Sequence, residues 1–486
     1  MDGRMTEEPR VQEDLAKKYR QPKGVEQFGV EAIPDHLRTV RWWDIFAMVL
    51  NFVVNPGTIV ISGALVAAGM SLWEAMLTGF LSIAVGFSAY LVAATVGVDY
   101  GIPGLVSMRG VFGVRGAALT SVLRAVSSVY WFAFQTASGS IGIAAVLRAL
   151  LHRDIPLNVI VVCFAIFQIL VATVGYDSLK ALSRVAFFLK IAFSVVIVVV
   201  LMTYPQSSYH PDAVFSFAGS TGGKVALIAL WTTSMAAAWF SNFTDAADFC
   251  RYSKTRVDMW LGTFMAAVVG QLICSLLGGY AVAAVLGKSD NPFDVIVTAS
   301  QGAVWLLLMI LLYIVLDNWT INVQNLYTAG LAVTSLFSRI GRFWGTLGVG
   351  VVGLGFSLAP GLISGYTGYM DKLAALFAPM AGVFIAHYVV LLRTKLDVPA
   401  LFGQDESRYW YWRGFNWVAL FWVVVGYFVN TNVPARYLNI LVTAVSMGAL
   451  YLVTMAIATR RSAAAAAGAQ PADVRLEAPD PEKVTA

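Results

Sequence analysis

From residue 43 to residue 459 the chain alternates apolar runs of membrane-crossing length with short polar connections. A spanning helix needs about 20 mostly apolar residues. The pattern predicts twelve spans, over roughly 43–70, 72–97, 117–147, 157–174, 181–203, 224–247, 258–287, 302–334, 344–358, 370–392, 413–430 and 436–459. Residues 1–42 are polar and basic with no apolar core, so no cleavable signal peptide is expected. After Arg461 the chain turns to alanine, proline and acid, which predicts a disordered tail over 460–486.

Three spans break the apolar pattern. The first carries Asn55-Pro56-Gly57 at mid-length, where proline removes a backbone donor and glycine weakens the helix. The sixth turns polar at Ser241, Asn242, Thr244, Asp245 and Asp248. It reads either as an unwound middle followed by a half-helix or as a span ending near Trp239. If 43–203 and 224–392 are two inverted copies, with 413–459 added, the two broken helices hold corresponding places. Such a pair points to the substrate site of a secondary transporter.

The eighth span is the third exception. It places Asp317, Asn318, Thr320, Asn322, Gln324 and Asn325 within nine positions. At about 100° per residue, Asp317, Thr320 and Gln324 form one stripe and the three asparagines the next. Intramembrane ionisable groups face a cavity, an ion or a partner. A carboxylate with a hydroxyl one turn away suits a hard cation, and Asp317 could equally carry a proton. The asparagines also fit interhelical hydrogen bonding. In the third span Trp131 and Gln135 lie at i and i+4 and share a face. An aromatic plane and a carboxamide match a flat, polar heterocycle, and Trp239 could supply a second stacking face.

Composition narrows the class. The chain has 486 residues, 58% of them hydrophobic and 13% charged, against roughly a quarter charged in soluble proteins. Lys and Arg cluster in the N-terminal tail, at Arg109/Arg115, Lys180/Arg184, Arg251/Lys254/Arg256, Arg339/Arg342, Arg393/Lys395/Arg408 and Arg460/Arg461. These are alternate connections, so the positive-inside rule puts both termini in the cytoplasm. The net charge of +5 reflects that asymmetry and implies no nucleic-acid partner. Cys163, Cys250 and Cys274 form no metal or disulfide spacing, and the four histidines are scattered. No phosphate-binding GxxxxGK[ST] loop appears. An enzyme or a sensor with a soluble module is disfavoured, and no cofactor is expected beyond a coupling ion.

Four stretches carry a family resemblance across roughly residues 25–460: VEQFGVEAIPDHLRTVRWWD, GVDYGIPGLVSMRGVFGVRG, WFSNFTDAADFCRYSK and DNWTINVQNLY. The chain resembles the nucleobase:cation symporter family one, which holds cytosine/purine permeases and allantoin, uracil and hydantoin transporters. The resemblance implies an all-α polytopic bundle of about twelve helices, ten of them an inverted-repeat core like that of the amino-acid transporter LeuT. It implies substrate contacts from Trp131, Gln135, Trp239, Asn325 and Gly57, with Asp248 and Arg251 matching a following D-F-x-R. It implies a cation site, for sodium or a proton, at Asn55, Thr58, Asp317 and Thr320. Two departures stand out. One hydroxyl, Thr320, remains of the family's adjacent pair, and the acidic Asp317 lies where a neutral oxygen is expected.

The expected function is cation-coupled uptake of a nucleobase or related nitrogen heterocycle by alternating access, in a plasma (inner) membrane. The rival substrates on the same fold are a vitamin precursor such as hydroxymethylpyrimidine, an amino acid or an amine.

Overall fold

The computed structural model describes residues 31–468 apart from 174, 175, 221, 338 and 404–406, and only the backbone of 176–184 and 459–468. The expectations for the first 30 residues and for 469–486 fall outside this range. Among the described residues the regular elements are helices, with two isolated β-bridges.

The first expected span is two helices, α1 (Trp42–Val53) and α2 (Pro56–Ala67), bent by 55°. The sequence writes this break directly. Asn55 caps α2, its Oδ1 accepting from the Thr58 amide at 2.8 Å, and Pro56 takes the first helical position, where a missing N–H costs nothing. Next comes α3 (Leu72–Tyr100), opened by a Ser71/Glu74 capping box and closed by Gly101 at φ +66°. A short α4 (Gly104–Phe112) leads into α5 (Ala117–Leu151), followed by α6 (Leu157–Ala172) and α7 (Tyr176–Met202).

The second half opens on another broken helix, α8 (Lys224–Ser241) and α9 (Ala246–Cys250), separated by a turn. Of the two readings of the sixth span, this is the unwound middle with a short half-helix. Then follow α10 (Arg256–Ala284, with a π turn at Ser275–Gly279), α11 (Pro292–Ala299), α12 (Val304–Leu336), α13 (Arg342–Ser357), α14 (Tyr366–Leu391), α15 (Trp417–Asn432) and α16 (Asn439–Gly468). Among the described residues seven helices are long and apolar enough to cross a membrane, and α1–α2 makes an eighth if counted as one span. The shorter α6, α13 and α15 and the broken α8–α9 occupy the remaining expected positions.

One tail boundary differs from expectation. The backbone of α16 stays helical to Gly468, beyond Arg461, because the alanine run after it has the highest helix propensity.

α12 packs along α5, and α10 along α1. The outward faces expose large apolar side chains such as Leu170, Phe188, Trp305, Phe421 and Val445, as a lipid-facing surface does. At one end a clasp joins the two halves: Val40 bridges Ser253, the Trp42 amide donates to Asp258 Oδ1 at 3.1 Å, and Arg256 pairs with Asp99.

Close helix contacts rest on glycine. A Cβ on Gly278 would lie 1.9 Å from the Ile59 carbonyl oxygen, backbone against backbone, whereas one on Gly348 meets nothing within 4 Å. Gly278→Ala is therefore expected to lower the melting temperature of the detergent-purified protein by the equivalent of about 1–3 kcal/mol or more. Gly348→Ala, in a helix interior, should leave it unchanged or slightly raised. Equal melting temperatures for the two variants would refute this packing.

Candidate substrate and cation site

The two broken helices meet across one cavity. Five residues singled out in the sequence as substrate contacts line it together: Gly57, Trp131, Gln135, Trp239 and Asn325. They come from α2, α5, α8 and α12, so four elements converge.

Each is held in place by a neighbour. Trp131 Nε1 donates to Ser241 Oγ at 3.2 Å, tying α5 to the last residue of α8. Trp239 packs edge-on against Phe87 with ring centroids 4.7 Å apart, and a Cβ on Gly86 would come within 2.6 Å of it. The Gly57 amide, in the first turn of α2, donates to Gln135 Oε1 at 3.1 Å. A Cβ on Gly57 would sit 2.6 Å from a Phe134 ring carbon and 2.8 Å from that same oxygen, so only glycine lets the α2 backbone reach Gln135. Asn325 Nδ2 donates to Asn322 Oδ1 at 3.2 Å. Among the described residues Gln135 Nε2 and Asn325 Oδ1 take no protein partner, so each carboxamide keeps a polar atom for a ligand beside the cavity. Phe134, Asn242, Gln271 and Tyr366 also line the cavity and were not anticipated as substrate contacts.

The six polar groups of α12 divide three ways. Asn318 and Asn322 knit helices together: Asn322 Nδ2 donates to Gln168 Oε1 at 2.7 Å and Thr136 Oγ1 at 2.9 Å. Gln168 Nε2 donates to Asn318 Oδ1 at 2.7 Å, and Asn318 Nδ2 donates to the Gln135 carbonyl. Gln324 donates to the Met48 carbonyl at 3.2 Å, and Asn325 faces the cavity. Asp317 and Thr320 turn toward α1 and α7.

There they meet Lys190. Its Nζ lies 2.5 Å from Asp317 Oδ1, 2.8 Å from Thr320 Oγ1, 3.0 Å from the Val54 carbonyl, 3.3 Å from the Asn51 carbonyl and 3.5 Å from the Asp317 carbonyl. Lysine and aspartate side chains are 1% and 0% exposed. Of the four residues expected at a cation site, the structure thus brings Asp317 and Thr320 together. The Asn55 side chain is spent on the break itself, accepting from Thr58 and donating to the Phe52 and Val53 carbonyls at 2.8 and 3.1 Å, and Thr58 lines the cavity. Sequence reasoning missed Lys190. The signal was a lone lysine in the apolar run VAFFLKIAFSVV, where a charge in a span asks for a partner.

A second buried charge cluster sits under the cavity, toward the clasped end. Arg124, on the first half of α5, pairs with Asp245 at 2.7 Å. It also donates to Asn242 Oδ1 at 2.8 Å, Thr328 Oγ1 at 2.9 Å and the Ser241 carbonyl at 3.3 Å. Asp248 accepts from the Gly104 amide at 2.9 Å, and Arg251 donates to the Tyr327 hydroxyl at 2.6 Å. The turn between α8 and α9 is thereby tied to α4, α5 and α12. Arg124 is another in-span charge that went unnoticed in the sequence.

Residues 32–455 match the family described as permease for cytosine/purines, uracil, thiamine, allantoin. A hydantoin permease of Microbacterium maritypicum is 24% identical over 401 residues, covering 79% of each chain. A purine-uracil permease of Arabidopsis thaliana is 25% identical over 424 residues, covering 80% of this chain and 68% of that one. The fold matches that of Mhp1, a nucleobase-cation-symport-1 family transporter solved in a closed conformation with bromovinylhydantoin bound. The TM-score is 0.76 at 20% identity, over 89% of this chain and 96% of that one.

Proposed function

Because this chain belongs to the family of permeases for cytosine/purines, uracil, thiamine and allantoin, we propose that it takes up a nucleobase or related nitrogen heterocycle by alternating access, coupled to a cation gradient. One observation carries the reading: a cavity between two broken helices collects two tryptophans and five carboxamides, Gln135 and Asn325 among them.

The ring would lie against Trp131 and Trp239, and its amide edge would meet Gln135 Nε2 as donor and Asn325 Oδ1 as acceptor. A ring amide offers the complementary pair. An amino acid fits less well. Its carboxylate seeks free amides at an unwound helix, whereas the Gly57 amide is already given to Gln135 and the sixth span holds no glycine.

The family's hydantoin, purine and uracil transporters support the substrate class. The alternation of basic connections supports an inner-membrane orientation with cytoplasmic termini. In that orientation the Arg124–Asp245 cluster closes the route from cavity to cytoplasm, and its parting would release the substrate inward.

A ligand that binds the folded protein raises its stability by mass action. In a thermal-shift series with uracil, cytosine, hypoxanthine, allantoin, hydantoin and hydroxymethylpyrimidine, at least one is expected to raise the melting temperature saturably. That shift should be absent from Asn325→Ala, which removes the acceptor. Shifts from amino acids or amines alone would overturn the proposal.

A further inference from the structure

A free sodium ion would need a cage of hard oxygens, and the family fold implies one between the first and eighth spans. In this chain the residues do not fit a free ion, because the cage already holds a cation. The five oxygens around Lys190 Nζ come from α12 and from the end of α1. Asn51 and Val54 supply two carbonyls that the break between α1 and α2 leaves without helical partners. The negative end of a helix dipole attracts a cation, and an ammonium has three N–H bonds to give. Lysine enters from α7, and its side chain is 1% exposed.

We propose that the Lys190 ammonium is the resident cation of this transporter, tethering α7 to α1 and α12 and excluding sodium from the site. The inference deepens the cation coupling proposed above and rests on that reading. Of the two coupling ions considered, it leaves the proton.

The test is a sodium titration of the melting temperature of the purified full chain, at constant ionic strength set with choline chloride and with no heterocycle present. The wild type is expected to show no sodium-specific change. In Lys190→Ala the Asp317 carboxylate and the carbonyls stand open, so sodium should produce a saturable rise that choline does not. Lys190→Ala/Asp317→Asn should lose that rise. Lys190→Met, which fills the volume without the charge, serves if the alanine variant does not fold, and should be destabilised without gaining a sodium response. A saturable sodium-specific rise in the wild type would overturn the proposal, and so would a Lys190→Ala protein indifferent to sodium. A wild-type chain that takes up heterocycle into proteoliposomes only when sodium is present would overturn it as well. Since the titration contains no heterocycle, a wrong substrate class leaves its outcome readable.

Discussion

Gln135→Ala is expected to abolish saturable heterocycle uptake while the folded protein still reaches the membrane. The carboxamide has two jobs. Its Oε1 anchors the Gly57 amide, which fixes where α2 begins, and its Nε2 is the donor left for a ligand. Removing it leaves a polar edge of the bound ring without a partner, at about 1–3 kcal/mol, roughly ten- to a hundredfold in affinity. Loss of the α2 anchor adds to that. Gln135→Glu keeps the acceptor for Gly57 and removes the donor, so it separates the two jobs. It should retain the wild-type melting temperature more closely than Gln135→Ala while still failing to bind. Radiolabelled uptake into proteoliposomes and ligand thermal shift read the two effects. Wild-type uptake in Gln135→Ala would remove Gln135 from the site.

The second large effect is on stability. Arg124→Ala should destabilise the protein by about 3–5 kcal/mol, because it leaves Asp245 buried and unpaired. Asn242 Oδ1 and Thr328 Oγ1 lose a donor in the same step. Removing both charges, as in Arg124→Met/Asp245→Asn, should recover much of the loss, since a buried pair replaced by neutral groups of similar size is often near neutral. Thermal melts of Arg124→Met, Asp245→Asn and the double variant give the coupling energy directly. Strict additivity would mean that the ion pair has no energetic role. The double variant is also informative for transport. If the cluster is the inner closure, substrate exchange should speed up in it even though the cavity residues are untouched.

Both effects involve groups whose partners lie far away in the chain. Gln135 and Gly57 are 78 positions apart, and Arg124 and Thr328 are 204 apart. That separation marks where sequence reading stops. Helical periodicity says which side chains share a face, so Trp131 and Gln135, four residues apart, could be paired from the chain alone. It also sorted the polar residues of α12 into two stripes, and the structure turns those stripes to different neighbours. Asn318 and Asn322 of the asparagine stripe meet α5 and α6 while Asn325 faces the cavity, and the Asp317/Thr320 stripe meets α1 and α7.

The sequence by itself determined that this is a multi-helix membrane protein, roughly where its spans lie, and where the first of them breaks. Those outcomes follow from local physics: apolar length against bilayer thickness, a proline that cannot donate, an asparagine that caps. The choice of partner for each buried charge was decided only by the tertiary structure. An isolated lysine in a span demands an anion and several acceptors, but nothing local says which helix will supply them. The folded bundle brings Asp317, Thr320 and the open carbonyls at the end of α1 to the one ammonium that enters from α7.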